Sequence, residues 1–466
     1  MKKYRIEKDS LGVQRVPAAA YYGAETMRAI ENFPISGLRF HGDFIRALAW
    51  VKKACALANQ SLKRLDTRRA KAIVRACDEI LAGKWQDQFV TDALQSGAGV
   101  SAHMNFNEVV ANRALEILGR KKGDYEYLHS HDHVNMGQST NDVVPTAIRL
   151  GVLQSLKAFE NSSRMLEKAF FAKAKEFRSV VKSGRTHLQD AAPVTLGQEF
   201  GGWGRQLEKG RIRIELLAKN LLELGIGGSA VGTGLNTTLA YRKKVIALLK
   251  SQTKFPVRSA ANLFEVMQSD ADLAAVSGGL RDYALSLIQI SNDLRFLSSG
   301  PRTGLAEIHL PDRQPGSSIM PGKVNPVMPE AAVQTAFQVI GNDASIAFAV
   351  SAGQLELNVM RPIIILNLFQ SIEILKNVAR VLSVFCIEGI TADRGRCRDY
   401  AEASFGIAAA LNPHIGYSKA AECVKEAMKT RKTLREVVLQ KKLLSPAALD
   451  HILSPENLTQ PKTLRQ

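Results

Sequence analysis

No two cysteines in this 466-residue chain are spaced C-x-x-C, and the five present (Cys55, Cys77, Cys386, Cys397 and Cys423) are odd in number. That argues against both a zinc ribbon and a disulfide framework, and it points to a reducing, cytoplasmic setting. Long apolar runs are missing as well. No window approaches the ~18 uninterrupted apolar residues of a membrane span. The richest stretch, RPIIILNLFQSIEIL, is broken by Asn367, Gln370, Ser371 and Glu373 and reads as a buried core helix. Lys2 and Lys3 have no apolar segment behind them, so the N-terminal stretch is not read as a secretory signal. Internal repeats and low-complexity segments are absent, and strand-like alternation is scarce.

The charge is lopsided: 62 basic against 44 acidic residues give a net +18. A nucleic-acid binder gathers such an excess into a patch or stripe. Here it is scattered as pairs (Lys52-Lys53, Arg68-Arg69, Lys121-Lys122, Lys243-Lys244, Lys441-Lys442), without an aromatic-rich RNA-binding motif. The expectation is a diffuse positive field that draws in small anions, with no nucleic-acid or membrane partner.

What the chain has in quantity is helical periodicity. Apolar side chains recur three and four apart over residues 143–182, and again through about 196–224, 264–298, 329–352 and 362–390. Five such stretches predict a mainly α protein with a central long five-helix bundle. Ser139-Thr140-Asn141-Asp142 and Thr195-Leu196-Gly197-Gln198 read as caps at helix starts. Pro329-Glu330 places a proline at the first helical position and a carboxylate in the first turn. Glycine and proline clusters near 96–99, 184–193, 225–234 and 311–326 put polar loops at the bundle ends. From about 392 shorter helical patterns follow. The predicted division is therefore 1–140, 141–391 and 392–466, the last a small helical domain.

Those loops carry the chemistry. QPGSSIMPGKVNPVMPE (314–330) imitates a phosphate loop, but five residues separate Gly316 from Gly322 and Val324 stands where a magnesium-binding hydroxyl belongs. GIGGSAVGTG (225–234) is expected to follow a helix and not a strand, so it reads as a glycine-rich turn and not a dinucleotide fingerprint. What remains in 316–326 is two serines, a lysine and an asparagine, a set able to clamp a carboxylate. Its glycines would let it close as a lid. SGAGVSAHMNFNE (96–108) is a glycine-rich loop entering a helix. HDHVNMGQSTND (131–142) ends in hydroxyl and amide side chains at a helix start, a natural anion site. SGRTHLQDAAP (183–193) sets Thr186 and His187 in a loop before another helix. Each of these alone is equally a cap or a surface residue. Together they offer hydroxyls, amides, one lysine and one histidine, without a metal set, and that inventory suits a dicarboxylate. HSHDH (129–133) is dense in ligand types but lacks the i, i+4 spacing of a catalytic zinc pair. It reads as a second anion patch or a solvated turn.

GSSIMPGKVNP resembles the signature of the aspartase/fumarase superfamily, and GRTHLQDA, QSTND, GTGLN and VPAAAYYGAETMRAIENFPIS resemble its other segments, so the similarity spans essentially the whole chain. SSGPRTGLAEIHLP, GKVNPVMPE and GNDASIAFAVSAGQLELNVM lean towards its aspartate ammonia-lyases over its class II fumarases. The resemblance implies reversible anti-elimination of ammonia from L-aspartate to give fumarate, without cofactor or metal. The alternatives are a fumarate hydratase or a lyase for another succinyl compound; a helical scaffold that kept the loop but lost activity would show damage at Ser317, Lys323 or Asn325, which are intact. By the same resemblance Ser317 is the general base, acting as an oxyanion stabilised by its loop. Ser139, Thr140 and Ser318 hold the aci-carboxylate, and Lys323 and Asn325 hold the α-carboxylate with Thr186 beside it. Asn141 and His187 lie near the leaving amino group. A homotetramer, with three subunits contributing to each site, is also implied.

The chain departs from the family pattern at the glycine-rich loop, where Gly-Thr followed by an asparagine is usual and Gly99-Val100 followed by His103 stands instead. Losing a donor to a developing oxyanion can cost roughly 10²–10³ in rate. Ser101 or His103 is the candidate to compensate. His131 also replaces a more usual asparagine, and Met136 a common lysine.

Overall fold

The computed structural model describes residues 4–460; Lys2 and Lys3, on which the reading of the N-terminus partly rests, lie outside them. Helices dominate. In chain order they are α1 (Ala24–Asn32), α2 (Gly42–Ser61), α3 (Thr67–Leu81), α4 (Val100–Ile117), α5 (Thr140–Glu176), α6 (Leu196–Ala218), α7 (Leu239–Thr253), α8 (Leu263–Gln268), α9 (Ala271–Leu297), α10 (Val327–Ser351) and α11 (Arg361–Phe385). Six shorter helices follow: α12 (Arg394–Ala403), α13 (Ala408–Ile415), α14 (Tyr417–Thr430), α15 (Leu434–Gln440), α16 (Pro446–Ile452) and α17 (Pro455–Thr459). Among the described residues the strands form only two-stranded ribbons. β1 (Tyr4–Asp9) pairs antiparallel with β2 (Gly12–Pro17), and β3 (Val181–Thr186) with β4 (Gln189–Thr195). The two-residue strands β5 (Glu223–Leu224) and β6 (Arg258–Ser259) pair in parallel, and β7 (Ile308–His309) and β8 (Thr391–Ala392) antiparallel.

Two compact units result. One comprises the residues up to Glu160, Ile212–Ala284 and Phe337–Lys376; the other comprises Asn161–Arg211, Leu285–Ala336 and the residues from Asn377 on. Every boundary falls inside one of the five long helices α5, α6, α9, α10 and α11.

At two of these helices, α5 and α6, the expected caps form. At α6 the Thr195 hydroxyl accepts from the Gln198 amide at 3.1 Å, and the Gln198 side chain accepts from the Thr195 amide at 2.9 Å. At α5 the Ser139 hydroxyl accepts from the Asn141 amide at 3.2 Å while the Asp142 carboxylate accepts from the Ser139 amide at 2.9 Å. Several boundaries differ from the sequence reading, among them that the 196–224 pattern ends as helix at Ala218 and the 362–390 pattern at Phe385. The 264–298 pattern is two helices, broken at Ser269-Asp270, because Asp270 leaves the helix to pair with Arg361. The 143–182 pattern ends at Glu176, and its tail from Val181 is strand. The helix α10 starts two residues before Pro329, which therefore sits third in its first turn.

In the first unit, α2 buries a row of small side chains (Ala47, Ala54, Ala58 and Cys55 among them) that lets α3 and α7 approach closely. The polar breaks in the apolar run of α11 are used for pairing. The Asn342 amide of α10 donates to Gln370 and to Ser371, each at 3.0 Å. Among the described residues Arg361–Gly389 is the one helical stretch long and apolar enough to cross a membrane by composition, and 61% of its apolar window is buried inside the protein. In the second unit, α13 to α16 close their own core around Leu411, Cys423, Val437, Val438 and Leu449. All five cysteines are buried and unpaired, and burial pushes the thiols of Cys55, Cys77, Cys386 and Cys397 up to about 12.

Candidate active site

Three groupings hold the residues singled out in the sequence. The first is the N-terminus of α5, in the first unit, where Ser139, Thr140 and Asn141 are half-buried. Because the Ser139 oxygen accepts from the helix, its own proton stays free to donate outwards. Asp142, wholly buried, accepts from the amides of Ser139, Gly227 and Ser229 at 2.9–3.0 Å. Burial raises its pKa to about 6, against those backbone hydrogen bonds. The 225–234 loop is thus more than a turn: it wraps Asp142, and its Ala230 carbonyl takes the Asn141 amide at 2.8 Å. It follows the short strand β5, not a helix as expected, yet α7 opens only at Leu239, so no strand-loop-helix nucleotide cradle forms.

Beneath this end lies Lys52 of α2, fully buried, whose ammonium donates to Asn135 and Gln138 at 2.8 Å each. Desolvation lowers its pKa to about 7. From α4 comes His103, also wholly buried, with Nδ1 at 2.7 Å from the Thr140 hydroxyl. Val100, the first residue of α4, is 41% exposed and brings no polar side-chain atom. Neither the Lys52 clamp nor the Asp142 wrap was legible beforehand, since their partners lie more than 80 residues away.

The second grouping is a hairpin and not the loop expected at 183–193. Thr186 ends β3, and His187 and Leu188 make a two-residue turn with φ of 55° and 59°. That left-handed pair is the geometry of the turn that matches strand twist. Sequence gave little warning, because neither Asn nor Gly occupies it. Thr186 and His187 are exposed at its tip. A buried charge network fixes its base: Glu307, wholly buried, pairs with Arg185 at 2.9 Å and Lys182 at 3.0 Å, and Lys182 also reaches Glu199 at 2.8 Å.

The third grouping is the 314–326 loop, in the same unit as the hairpin. The Gly316 amide donates to the Lys323 carbonyl at 2.7 Å, and the Asn325 side chain donates to the Gly316 carbonyl at 2.7 Å. A side chain at Gly316 would stand 2.7 Å from the Lys323 carbonyl oxygen and 2.8 Å from the Asn325 amide, so this crossing needs glycine. Within the pinched loop the Ser317 hydroxyl oxygen accepts from the amides of Ile319 at 3.2 Å and Met320 at 2.9 Å. Ser317 and Lys323 line one open cavity of about 490 Å³, with Arg313 and Gln314 on its wall. Ser318 is exposed beside them. Such an arrangement stabilises negative charge on a serine oxygen and holds a cation nearby.

HSHDH is a partly exposed turn, with His131 and Asp132 on its solvent side. Residues 130–134 form one π-helical turn, in which His129 and His133 each accept a backbone amide on Nδ1. His131 is hydrogen-bonded to Glu25, which holds its pKa above the ordinary value. Among the described residues no group of three or more His, Cys, Asp or Glu side chains is placed to hold a metal ion.

Comparison with known proteins gives a consistent result. The lyase family model matches residues 12–341, and the fumarase C C-terminus model matches residues 407–460. The aspartate ammonia-lyase of Bacillus subtilis (strain 168) is 50% identical over 99% of this chain and 97% of its own length. The crystal structure of fumarate lyase:delta crystallin from Brucella melitensis, bound to cobalt, superposes with a TM-score of 0.96 at 46% identity, covering 98% of this chain and all of that one. The class II fumarase of Schistosoma mansoni superposes with a TM-score of 0.94 at 35% identity, over 99% of this chain and all of that one. With matches of this extent in sequence and fold, the chain belongs to the aspartase/fumarase superfamily of lyases.

Proposed function

We infer that this protein is an aspartate ammonia-lyase, catalysing the reversible anti-elimination of ammonia from L-aspartate to fumarate. The carrying observation is Ser317, whose oxygen accepts two backbone amides in a loop that also bears Lys323 and Asn325. A free serine hydroxyl is far too weak a base to take a proton from carbon. Two amide donors and a lysine beside it favour the charged form, which is what a serine base needs.

In this reading Ser317 Oγ takes the proton from the carbon next to the β-carboxylate. The electron pair moves into that carboxylate, giving an aci-anion, and then expels the amino group, which aspartate carries protonated as an ammonium, from the opposite face as neutral ammonia. Ser139, Thr140 and Ser318 donate to the aci-carboxylate. Lys323 is the counter-charge of the α-carboxylate. Asn325 joins it with the amide hydrogen that its bond to Gly316 leaves free, and Thr186 adds a hydroxyl. Asn141 and His187 border the leaving ammonia. No step uses a metal or an organic cofactor.

The working unit in this reading is a cytoplasmic homotetramer, three of whose subunits supply the groupings of each site. The exposed face of α10 supports it: Phe348, 78% exposed, and Phe337 stand there among Ala331, Gly341, Ala344 and Ala347, a surface suited to another helix. The division into 1–140, 141–391 and 392–466 belongs to the same reading. Substrate choice tests it: pure protein is given L-aspartate, L-malate, or fumarate plus ammonia, and the ultraviolet absorbance of fumarate is followed. Aspartate turnover is expected. Malate turnover without aspartate turnover would replace it with a hydratase.

A further inference from the structure

We propose that His103 is a positioning residue for this elimination: its Nδ1–H donates to the Thr140 oxygen, so that the Thr140 hydroxyl proton is aimed at the substrate carboxylate that takes up charge. The proposal rests on the aspartate ammonia-lyase reading and says how the α5 end works in a chain that has Val100 at the start of α4.

The geometry fixes the two groups. His103 Nδ1 and Thr140 Oγ1 are 2.7 Å apart, and His103 is wholly buried one helical turn after Val100. Burial, with Lys52 nearby, keeps the imidazole neutral, so the ring carries a single proton. Its other nitrogen, Nε2, is buried without a hydrogen-bond partner. The two neutral tautomers therefore differ in what they strand. With the proton on Nε2, a buried N–H donor is left unmatched. With the proton on Nδ1, only a lone pair is left, and unmatched buried donors are the rarer defect in folded proteins.

The tautomer decides what Thr140 can offer. If Nδ1 were the acceptor, the threonine proton would be spent on the ring and lone pairs alone would face a carboxylate. If Nδ1–H donates, the hydroxyl oxygen is satisfied from behind and its proton turns outwards. The Asn141 amide spends one of its two hydrogens on the Ala230 carbonyl, and Ser139 is the other hydroxyl at this helix end. Val100 has no hydroxyl to add.

Two measurements test this. Nitrogen-15 spectra of histidine-labelled protein, with His103 assigned by its loss in His103→Leu, should show a protonated Nδ1 and an unprotonated Nε2; the reverse pattern overturns the proposal. In kinetics on aspartate, His103→Leu should lower kcat by roughly ten- to a hundredfold, with KM little changed. His103→Asn, whose amide can still donate, should recover most of that loss. In a Thr140→Val background, His103→Leu should cost nothing more, because it acts only through that hydroxyl. Additive losses, or a His103→Asn variant as slow as His103→Leu, would instead mark His103 as core packing. If the wild-type protein does not turn over aspartate at all, the parent reading fails on that result, and the hydrogen-bond direction is still decided by the tautomer.

Discussion

The amide of Met320 donates to the hydroxyl oxygen of Ser317 at 2.9 Å, and the Ile319 amide donates to the same oxygen at 3.2 Å. A serine used as a base has to survive as an oxyanion. Two fixed N–H dipoles are already aimed at that oxygen, so no reorganisation is needed when the charge appears. The loop reaches this shape by folding its glycine against Lys323 and Asn325, which ties the position of Ser317, the proposed base, to the residues proposed to hold the substrate.

That coupling makes Gly316 a sensitive position. Gly316→Ala places a methyl group 2.7 Å from the Lys323 carbonyl and 2.8 Å from the Asn325 amide, both backbone and unable to yield cheaply. Turnover should fall at least roughly tenfold, about 1.4 kcal/mol in the barrier. The thermal midpoint should barely move, because the loop is exposed. Steady-state kinetics beside a melting curve decides it; unchanged kcat/KM would mean that the loop geometry does not control the base.

A second prediction concerns the buried pair that breaks the 264–298 helix pattern. Arg361 and Asp270 are both almost wholly inaccessible and meet at 3.1 Å, and Arg361 also holds the Met267 carbonyl at 2.6 Å. Asp270→Ala strands a buried guanidinium and should cost about 3–5 kcal/mol, read as a lowered urea midpoint. Adding Arg361→Met should recover much of it, since the desolvated charge is gone. A single variant as stable as wild type would contradict the pairing.

Lys52 supplies a pH signature. Its folded pKa is lowered to about 7 from an ordinary 10.5. Between those values the unfolded chain holds a proton that the folded protein has released, so this group makes stability rise with pH across that window. Other groups titrate there too, so the comparison is with Lys52→Met. From pH 7 to pH 10 the urea-unfolding free energy of wild type should gain on that of the variant. Parallel profiles would show that Lys52 keeps its charge in the fold.

Much of this architecture was legible because local signals carry it. The Thr195/Gln198 and Ser139/Asp142 caps form as read, and the five apolar-periodic stretches hold the five long helices, with the short α8 split off from one of them. The misses share one cause, that long-range partners leave no local trace. Asp270 interrupts a continuous periodic stretch for an arginine 91 residues away. The His187-Leu188 turn lacks the Asn or Gly that marks such turns, and its base is held by Glu307, 122 residues from Arg185. The site followed the same division: the serine, lysine and asparagine of 316–326 stood out as a set, whereas the contact between His103 and Thr140 needed the fold.

Ser317 as the base of an aspartate elimination is tested most directly by fumarate formation from L-aspartate by wild type and by Ser317→Ala at equal concentration of folded protein. Rapid fumarate release by wild type is expected, with a fall of about 10³-fold or more in the variant, at least ~4 kcal/mol in the barrier. A Ser317→Ala protein that forms fumarate as fast as wild type would contradict it.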